Sequence, residues 1–295
     1  MSTQRILVGL IGRDIQASRS PTIHEREADA QGVRLIYSLF DFAQANMTEA
    51  DLPRVLGAVQ LAGFAGVNVT HPYKQAVIEY LDELTSEASE VGAVNAVAFR
   101  NGKRVGHNTD AIGFAKSFKH DLMGVARNRV MQLGAGGGGA ATAHALLSLG
   151  VGHLAILDLD ADRQAGLIDA LAERYGSDRV SACTDVEESI ACSDGLVNAT
   201  PVGQDKHPGM PLPTAVLRAE LWVADIIYFP LETELLAAAR QAGCRTMNGS
   251  GMVVYQAAAA FEFFTGLTAD VQRMQQSFFD DVALSDTAGA SDIQE

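Results

Sequence analysis

Val130-Met131-Gln132-Leu133 is a short apolar run that leads directly into Gly134-Ala135-Gly136-Gly137-Gly138-Gly139, and small residues continue from Ala140. A strand, a glycine turn and a helix in that order constrain the fold more than any other feature of the chain, because they open a βαβ unit. With G-x-G-x-x-G spacing, Gly134 permits the tight turn, Gly136 lets a pyrophosphate approach the backbone, and Gly139 lets helix and strand pack closely. A helix starting near Ala140 would aim its unpaired N–H groups and positive dipole end at the phosphates. Asp158 closes the next apolar run, 19 positions after Gly139. A carboxylate there suits the 2′-hydroxyl of an adenine ribose and repels a 2′-phosphate, which favours NAD over NADP. Arg163, five positions later, pulls the other way, since an arginine can meet a phosphate or stack on adenine.

The repeat of strands and helices after this loop implies a parallel, doubly wound sheet, with strands at Val130–Leu133, Leu154–Leu157, Gly195–Asn198 and Trp222–Ile227. Before it, Ile6–Ile11, Leu35–Phe40 and Gly66–Thr70 read as strands, and Thr22–Gln31, Glu49–Leu61 and the stretch from Pro72 to Leu84 as helices. Ala96–Arg100 and Arg104–His107 flank the Asn101-Gly102 turn of a hairpin. After Gly251 the chain reads as helical, through Ala257–Phe264 and Ala269–Phe279. The expected architecture is therefore α/β in two domains. Residues 1–105 form an α/β substrate domain, joined by returning C-terminal helices over about 250–283. Residues 106–249 form a Rossmann-type domain. Residues 284–295 are small and acidic and read as a disordered tail.

At 295 residues, with 47% hydrophobic and 20% charged residues, the chain has ample core for a globular protein. Its net charge of −14 argues against nucleic acid or an anionic membrane as partner. An anionic small molecule stays open, because local charge in a cleft can oppose the global sign. The N-terminus lacks signal-peptide regions, no apolar run reaches the ~18 residues of a membrane span, and Cys183, Cys192 and Cys244 form no ligand pattern. These features point to the cytoplasm and to no metal. His24, His71 and His107 form no metal pair at helical spacing and read as structural.

Hydride removal from an alcohol also releases a proton, so an acid/base group must stand beside the reacting carbon. Lys74, in Asn68-Val69-Thr70-His71-Pro72-Tyr73-Lys74, and Asp110, in Gly106-His107-Asn108-Thr109-Asp110, are the candidates. By residue type alone such a pair is more often an exposed lysine at a helix start and a loop aspartate.

These segments resemble the signature stretches of the shikimate dehydrogenase family. Residues 68–74 match its N-V-T-x-P-x-K segment, Gly92-Ala93-Val94-Asn95 its G-A-V-N segment, and residues 106–110 its G-x-N-T-D segment. The similarity extends to Ser18-Arg19-Ser20-Pro21, Gly134–Gly139, Asn198-Ala199-Thr200-Pro201-Val202-Gly203 and Gln256, and so spans about residues 6–280. It implies that Lys74 is the acid/base residue and Asp110 its charged partner. It also implies that Ser18 and Ser20 bind a substrate carboxylate, that Thr70, Asn95 and Gln256 bind ring hydroxyls, and that Tyr228 lies near the carboxylate. Asn198, Thr200, Val202 and Gly251 join Gly134, Ala135, Gly136, Gly137, Gly138, Gly139, Asp158 and Arg163 on the cofactor side. Read without the resemblance, Ser18 and Ser20 are loop or N-cap serines, Gln256 a helix-surface amide and Tyr228 a core aromatic.

NADP-using members carry a basic Asn-Arg-Thr-like stretch where this chain has Leu157-Asp158-Leu159-Asp160-Ala161-Asp162-Arg163. The chain is therefore similar to the NAD-preferring quinate/shikimate dehydrogenase branch. Val202 stands where many members have Met, and Ser20 where some quinate-adept relatives have Thr, a methyl difference that can tilt substrate preference. The implied reaction oxidises shikimate to 3-dehydroshikimate, and quinate to 3-dehydroquinate, at an interdomain cleft, as in aromatic amino acid biosynthesis. The implied partner is a hydroxylated cyclohexane or cyclohexene carboxylate, and the implied state a monomer or homodimer. Two rivals share the same motifs: a non-catalytic sensor of NAD or of a cyclohexene carboxylate, and a dehydrogenase of a related acid such as an aminoshikimate.

Overall fold

The computed structural model of the protein describes residues 5–291, with side chains to residue 283. Its chain divides into two units, one built from residues up to Thr109 and from Val254 onward, the other from Asp110–Val253. The first unit begins with strand β1 (Arg5–Gly12), helix α1 (Ser20–Ala30) and strand β2 (Arg34–Asp41). A turn of 3-10 helix at Glu49–Asp51 leads into α2 (Leu52–Leu61), then β3 (Gly66–Val69), β4 (Glu83–Leu84), α3 (Ser86–Val91), β5 (Ala96–Arg100) and β6 (Lys103–His107). The strands form one mixed sheet in the order β2-β1-β3-β5-β6-β4. β1 pairs parallel with both β2 and β3, while β5 runs antiparallel to β3 and β6. β1 and β3 are mostly apolar and buried, as strands covered on both faces must be. Phe42, Leu52, Leu56, Val67 and Val97 lie in the core beside them.

The second unit contains α4 (Asp110–Asp121), β7 (Arg129–Leu133), α5 (Gly137–Ser148), β8 (His153–Leu157), α6 (Ala161–Tyr175), β9 (Val180–Ala182) and α7 (Val186–Ala191). It continues through β10 (Gly195–Asn198), β11 (Trp222–Asp225), α8 (Glu234–Gln241) and β12 (Arg245–Met247). Its sheet is wholly parallel, in the order β9-β8-β7-β10-β11-β12. Numbered within the unit this is 3-2-1-4-5-6, the doubly wound order whose direction reverses between β7 and β10 and leaves a ligand crevice at their carboxyl ends. Gly195 has no side chain because the Trp222 ring fills that place: a Cβ would lie 2.0 Å from it. The chain ends in α9 (Ser250–Thr265), which begins before the boundary at Val253, and α10 (Val271–Ser291).

Within the first unit, α10 packs along α1. Ion pairs cross the seam. Glu27, fully buried, accepts from Arg273 Nε at 2.7 Å and Nη2 at 2.9 Å, and Arg19 Nη1 lies 2.6 Å from Asp281 Oδ2.

Three departures from the sequence reading bear on how the units are built. The helix expected from Pro72 to Leu84 is a turn, a 3-10 segment at Ala76–Tyr80 and strand β4. Here tertiary pairing overrides propensity: the Asp82 and Thr85 N–H groups donate to Arg104 and Gly106 of the hairpin, which draws the chain into the sheet. Residues 106–109 belong to the first unit, because the Asn95 N–H donates to His107 O and the Asn95 side chain holds Thr109. Finally, α10 continues to Ser291, through part of the stretch read as a disordered tail. Alanines at 283, 288 and 290 and the lack of proline suit a helix there. Residues 292–295 lie outside the described residues.

Candidate active site

In the first unit the motif segments converge on Asn95, which is 4% exposed. Its Nδ2 donates to Thr109 Oγ1 at 2.9 Å and to Gln256 Oε1 at 3.2 Å, and its Oδ1 accepts from the Thr109 N–H at 2.8 Å. Its main-chain carbonyl accepts from Asn68 Nδ2 at 3.0 Å and from the Val69 N–H at 2.9 Å. One residue earlier, the Val94 N–H donates to the Lys74 carbonyl at 2.8 Å. Residues 68–74, 92–95 and 106–109 and the glutamine of α9 are thus tied into one network, although they are far apart in sequence. Asp110 follows Thr109 directly as the first residue of α4, where a carboxylate suits the positive end of the helix dipole.

The serine loop is held from its other side. Asp41, at the end of β2, accepts from the Asp14, Ile15 and Ala43 N–H groups and from Gln16 Nε2, all at 3.0–3.1 Å. Burial pushes its carboxyl up, but these donors more than reverse the effect and hold it below the ordinary carboxylate range. Next, the Ser18 N–H donates to Ile15 O and the Ser20 N–H to Ser18 Oγ. Thr70 lies alongside, close enough that a Cβ on Gly12 would stand 2.4 Å from its methyl group. His24, buried under Tyr37 with ring centroids 5.0 Å apart, has its pKa lowered to about 4 by burial and stays neutral.

In the second unit Gly134 adopts φ +97° at the end of β7, and an added Cβ would stand 2.6 Å from Ala199 O. A Cβ on Gly139 would stand 2.3 Å from Gly134 O, whereas one on Gly136 would meet only open space. The α5 N-terminus has Gly136 at its N-cap and so carries no side-chain cap there. Asp158 closes β8 with its carboxylate turned onto the loop: it accepts from the Ala135 N–H at 2.6 Å and the Asp160 N–H at 2.9 Å, with Arg163 Nη1 at 3.4 Å. The residues present therefore fit a dinucleotide, with a side-chain-free helix end for its phosphates and a carboxylate at the second strand for its ribose.

At the end of β10, Asn198 is fully buried and works as a brace. Its Nδ2 donates to Val202 O and Asp225 Oδ1, both at 3.1 Å, and its Oδ1 accepts from the Thr200 hydroxyl at 2.7 Å. The Thr200 hydroxyl in turn accepts from the Val202 N–H. Asn198, Thr200 and Val202 so form one ordered loop at the carboxyl end of the sheet. Tyr228, 38% exposed, lies just beyond β11. Gly251 lets α9 approach α4 closely, since a Cβ there would be 2.3 Å from Ser117 Oγ.

Comparison with known proteins agrees with this geometry. The model described as the shikimate dehydrogenase substrate binding domain matches residues 10–97, and the shikimate 5′-dehydrogenase C-terminal domain matches 249–277. A protein of Streptomyces avermitilis named shikimate dehydrogenase (NADP(+)) is 48% identical over 276 residues, which are 93% of this chain and 95% of that one. The chain belongs to the shikimate dehydrogenase family. A Corynebacterium efficiens member named quinate/shikimate dehydrogenase (NAD(+)) is 44% identical, over 94% of this chain and 99% of that one. The solved quinate dehydrogenase of Corynebacterium glutamicum in complex with NAD superposes with a TM-score of 0.90 at 42% identity, covering 94% of this chain and 100% of that one. The protein is thus an oxidoreductase of the shikimate/quinate dehydrogenase type, with a Rossmann-type unit.

The structure also brings forward residues that sequence reasoning passed over. Gln132, buried in β7, donates to both Gly134 O and Gly139 O at 2.8 Å and accepts from the Thr142 hydroxyl, so it braces the glycine loop from beneath. A lone amide in an apolar strand was the available signal. Tyr37 donates to Asn68 Oδ1 at 2.9 Å and so steadies the partner of Asn95. Asp225 accepts from Asn198, from Thr233 Oγ1 at 2.8 Å and from the Ile227 N–H, yet burial still pushes its carboxyl up to about 6. No helix among the described residues is long and apolar enough to cross a membrane. None of them form a group of three or more potential metal ligands.

Proposed function

We propose that this family member oxidises shikimate to 3-dehydroshikimate, and quinate to 3-dehydroquinate, with NAD as the hydride acceptor. The observation that carries the reading is the Asn95 network, which gathers Asn68, Thr109 and Gln256 around one buried amide and ties the Lys74 backbone to the neighbouring residue. In this reading Thr70, Asn95 and Gln256 accept or donate to ring hydroxyls, which fixes the face of the ring. Ser18 and Ser20 hydrogen-bond the carboxylate, with Tyr228 near it. Lys74 takes the proton of the hydroxyl being oxidised, and Asp110 holds the lysine's charge and position. Donors and acceptors preset in this way lower the barrier chiefly by orientation, because the reacting hydroxyl needs no search for its base.

Gly134–Gly139 with Ala135, the α5 N-terminus and the loop of Asn198, Thr200 and Val202 would hold the cofactor, with Gly251 on the same side. When bound, NAD supplies the acceptor for hydride. Asp158 supports NAD rather than NADP, because a carboxylate accepts from a 2′-hydroxyl and repels a 2′-phosphate. Arg163 is engaged with Asp158 and with Asp160 Oδ2 at 3.1 Å, which leaves less of its charge for a phosphate. The Corynebacterium relative named for NAD(+) supports the same preference, although the Streptomyces relative is named for NADP(+).

Lys74→Ala tests the acid/base role. We expect kcat to fall by ~10²–10⁴, the usual contribution of a positioned acid/base group, with the Kd for shikimate little changed. Near-normal turnover in that variant would overturn the assignment. A matrix of kcat/KM for shikimate and quinate against NAD and NADP, read from reduced-nicotinamide absorbance, tests the substrates and cofactor together.

A further inference from the structure

Ser18 and Ser20 flank Arg19, and Arg19 occupies the N-cap position of α1. This is an unfavourable place for a cation, because the helix dipole presents its positive end there. It is also a place where Ser, Thr, Asp or Asn ordinarily supplies an acceptor; Arg19 supplies none, and the first N–H of the helix, that of Ser20, donates to Ser18 Oγ instead. The compensation comes from α10, some 260 residues away in sequence. Asp281 Oδ2 lies 2.6 Å from Arg19 Nη1, Asp281 Oδ1 accepts from Thr22 Oγ1 at 3.2 Å, and the Asp281 carbonyl lies 3.4 Å from the same Nη1. Both charged side chains are only 19% exposed, so the pair is screened far less than a surface ion pair.

One carboxylate thus grips the residue between the two serines and the first turn of the helix they start. From the other side Asp41 holds Asp14, Ile15 and Gln16, the approach to Ser18. The stretch 14–22 is anchored at both ends, and the two serines lie between the anchors.

We propose that Asp281 is a positioning residue for substrate binding: through Arg19 and Thr22 it sets the orientation of Ser18 and Ser20 toward the substrate carboxylate. The proposal rests on the reading of those serines as carboxylate ligands. The C-terminal helix thereby contributes to substrate affinity without touching substrate. It also keeps the Arg19 guanidinium paired, so the anion is met by hydroxyls in fixed positions.

Asp281→Asn and Arg19→Gln should each raise the KM for shikimate about tenfold, the equivalent of one charge-assisted hydrogen bond at about 1.4 kcal/mol, with kcat and the KM for NAD changed less than about twofold. The swap Arg19→Asp/Asp281→Arg, which puts an acid at the N-cap, should recover most of the lost affinity. Arg273→Gln is the control: it breaks the pairing with Glu27 on the same pair of helices and should lower Tm without moving the KM for shikimate. Two results would overturn the proposal. One is a shikimate KM within twofold of wild type in both Asp281→Asn and Arg19→Gln. The other is an equal rise in Arg273→Gln, which would reduce Asp281 to general helix docking. Ser18→Ala and Ser20→Ala identify the point of failure: if neither changes the KM for shikimate, the carboxylate-ligand reading falls first and takes this proposal with it.

Discussion

Asp158→Asn tests the proposal that charge at this position sets the cofactor choice. The wild-type carboxylate has a side chain 9% exposed and accepts from the Ala135 and Asp160 N–H groups, with Arg163 close by. A 2′-phosphate would set ~1.5 to 2 negative charges against it. Each unit charge at ~4 Å is worth about 1 kcal/mol in water and about 4 kcal/mol at an effective dielectric constant near 20. Arg163 offsets part of this, so the lower end applies: about 2 kcal/mol, or a factor of ~30 at ~1.4 kcal/mol per decade. Losing the charged acceptor for the 2′-hydroxyl removes another ~1.5 kcal/mol, a factor of ~10, from NAD alone. The substitution should therefore compress the NAD-to-NADP ratio of kcat/KM by ~300-fold, the product of the two factors. An amide cannot accept from both N–H groups through its two ends, so the loop will also loosen and Tm will fall. That defect burdens both cofactors alike and cancels in the ratio. Initial rates at saturating shikimate, with each cofactor varied in turn, give the number. A ratio that moves less than about threefold, or a wild-type enzyme that already prefers NADP, would refute the reasoning.

The remaining predictions concern the frame around the site. Gly139→Ala forces a Cβ to within 2.3 Å of the Gly134 carbonyl, whereas Gly136→Ala meets open space. The first should lose about 1–3 kcal/mol of stability, read as a drop in Tm, and should also weaken NAD binding. The second should leave Tm near wild type while weakening NAD binding, and equal Tm values for the two would contradict the packing argument. Burial raises the Asp225 carboxyl from 3.8 to about 6. A carboxyl raised in this way lends its stability below about pH 4 and loses it as pH climbs through about 6, a change of about 3 kcal/mol for this shift. Asp225→Asn does not titrate, so in urea unfolding it should gain about 3 kcal/mol on wild type between about pH 4 and pH 7. A pH-independent difference between the two proteins would count against the buried, raised carboxyl.

Much of the fold was legible in local patterns. The run Val130–Leu133 and its glycines announced β7 and the helix after it, because fully covered parallel strands read as apolar runs and a tight turn favours glycine, although α5 starts at Gly137 rather than near Ala140. The Asn101-Gly102 turn announced the β5–β6 hairpin, since both residues take positive φ there. What failed locally failed for a reason. Ala76–Tyr80 closed on itself as a 3-10 turn, while Glu83–Leu84 became a strand because the hairpin captured the backbone groups around it, and no periodicity within 72–84 records that pairing. Short elements such as β9 and β12, of three residues each, leave too few positions for a period to show.

The site divides along the same line. Residue type and short spacing were enough for the glycine turn at Gly134–Gly139 and the acid at Asp158. The roles expected of Lys74, Asp110, the serines and the amides came instead from the family resemblance of the segments that carry them, since by type alone these are ordinary loop and helix-surface residues. Only the tertiary structure decided how the residues are held. It put Asn95 at the junction of Asn68, Thr109 and Gln256, set Gln132 beneath the glycine loop, and brought Asp281 of the last helix to the residue between the two serines. Those partners lie between a few and some 260 residues apart. A hydrogen bond requires its atoms to meet within about 3 Å, and across such separations only the folded chain makes that happen.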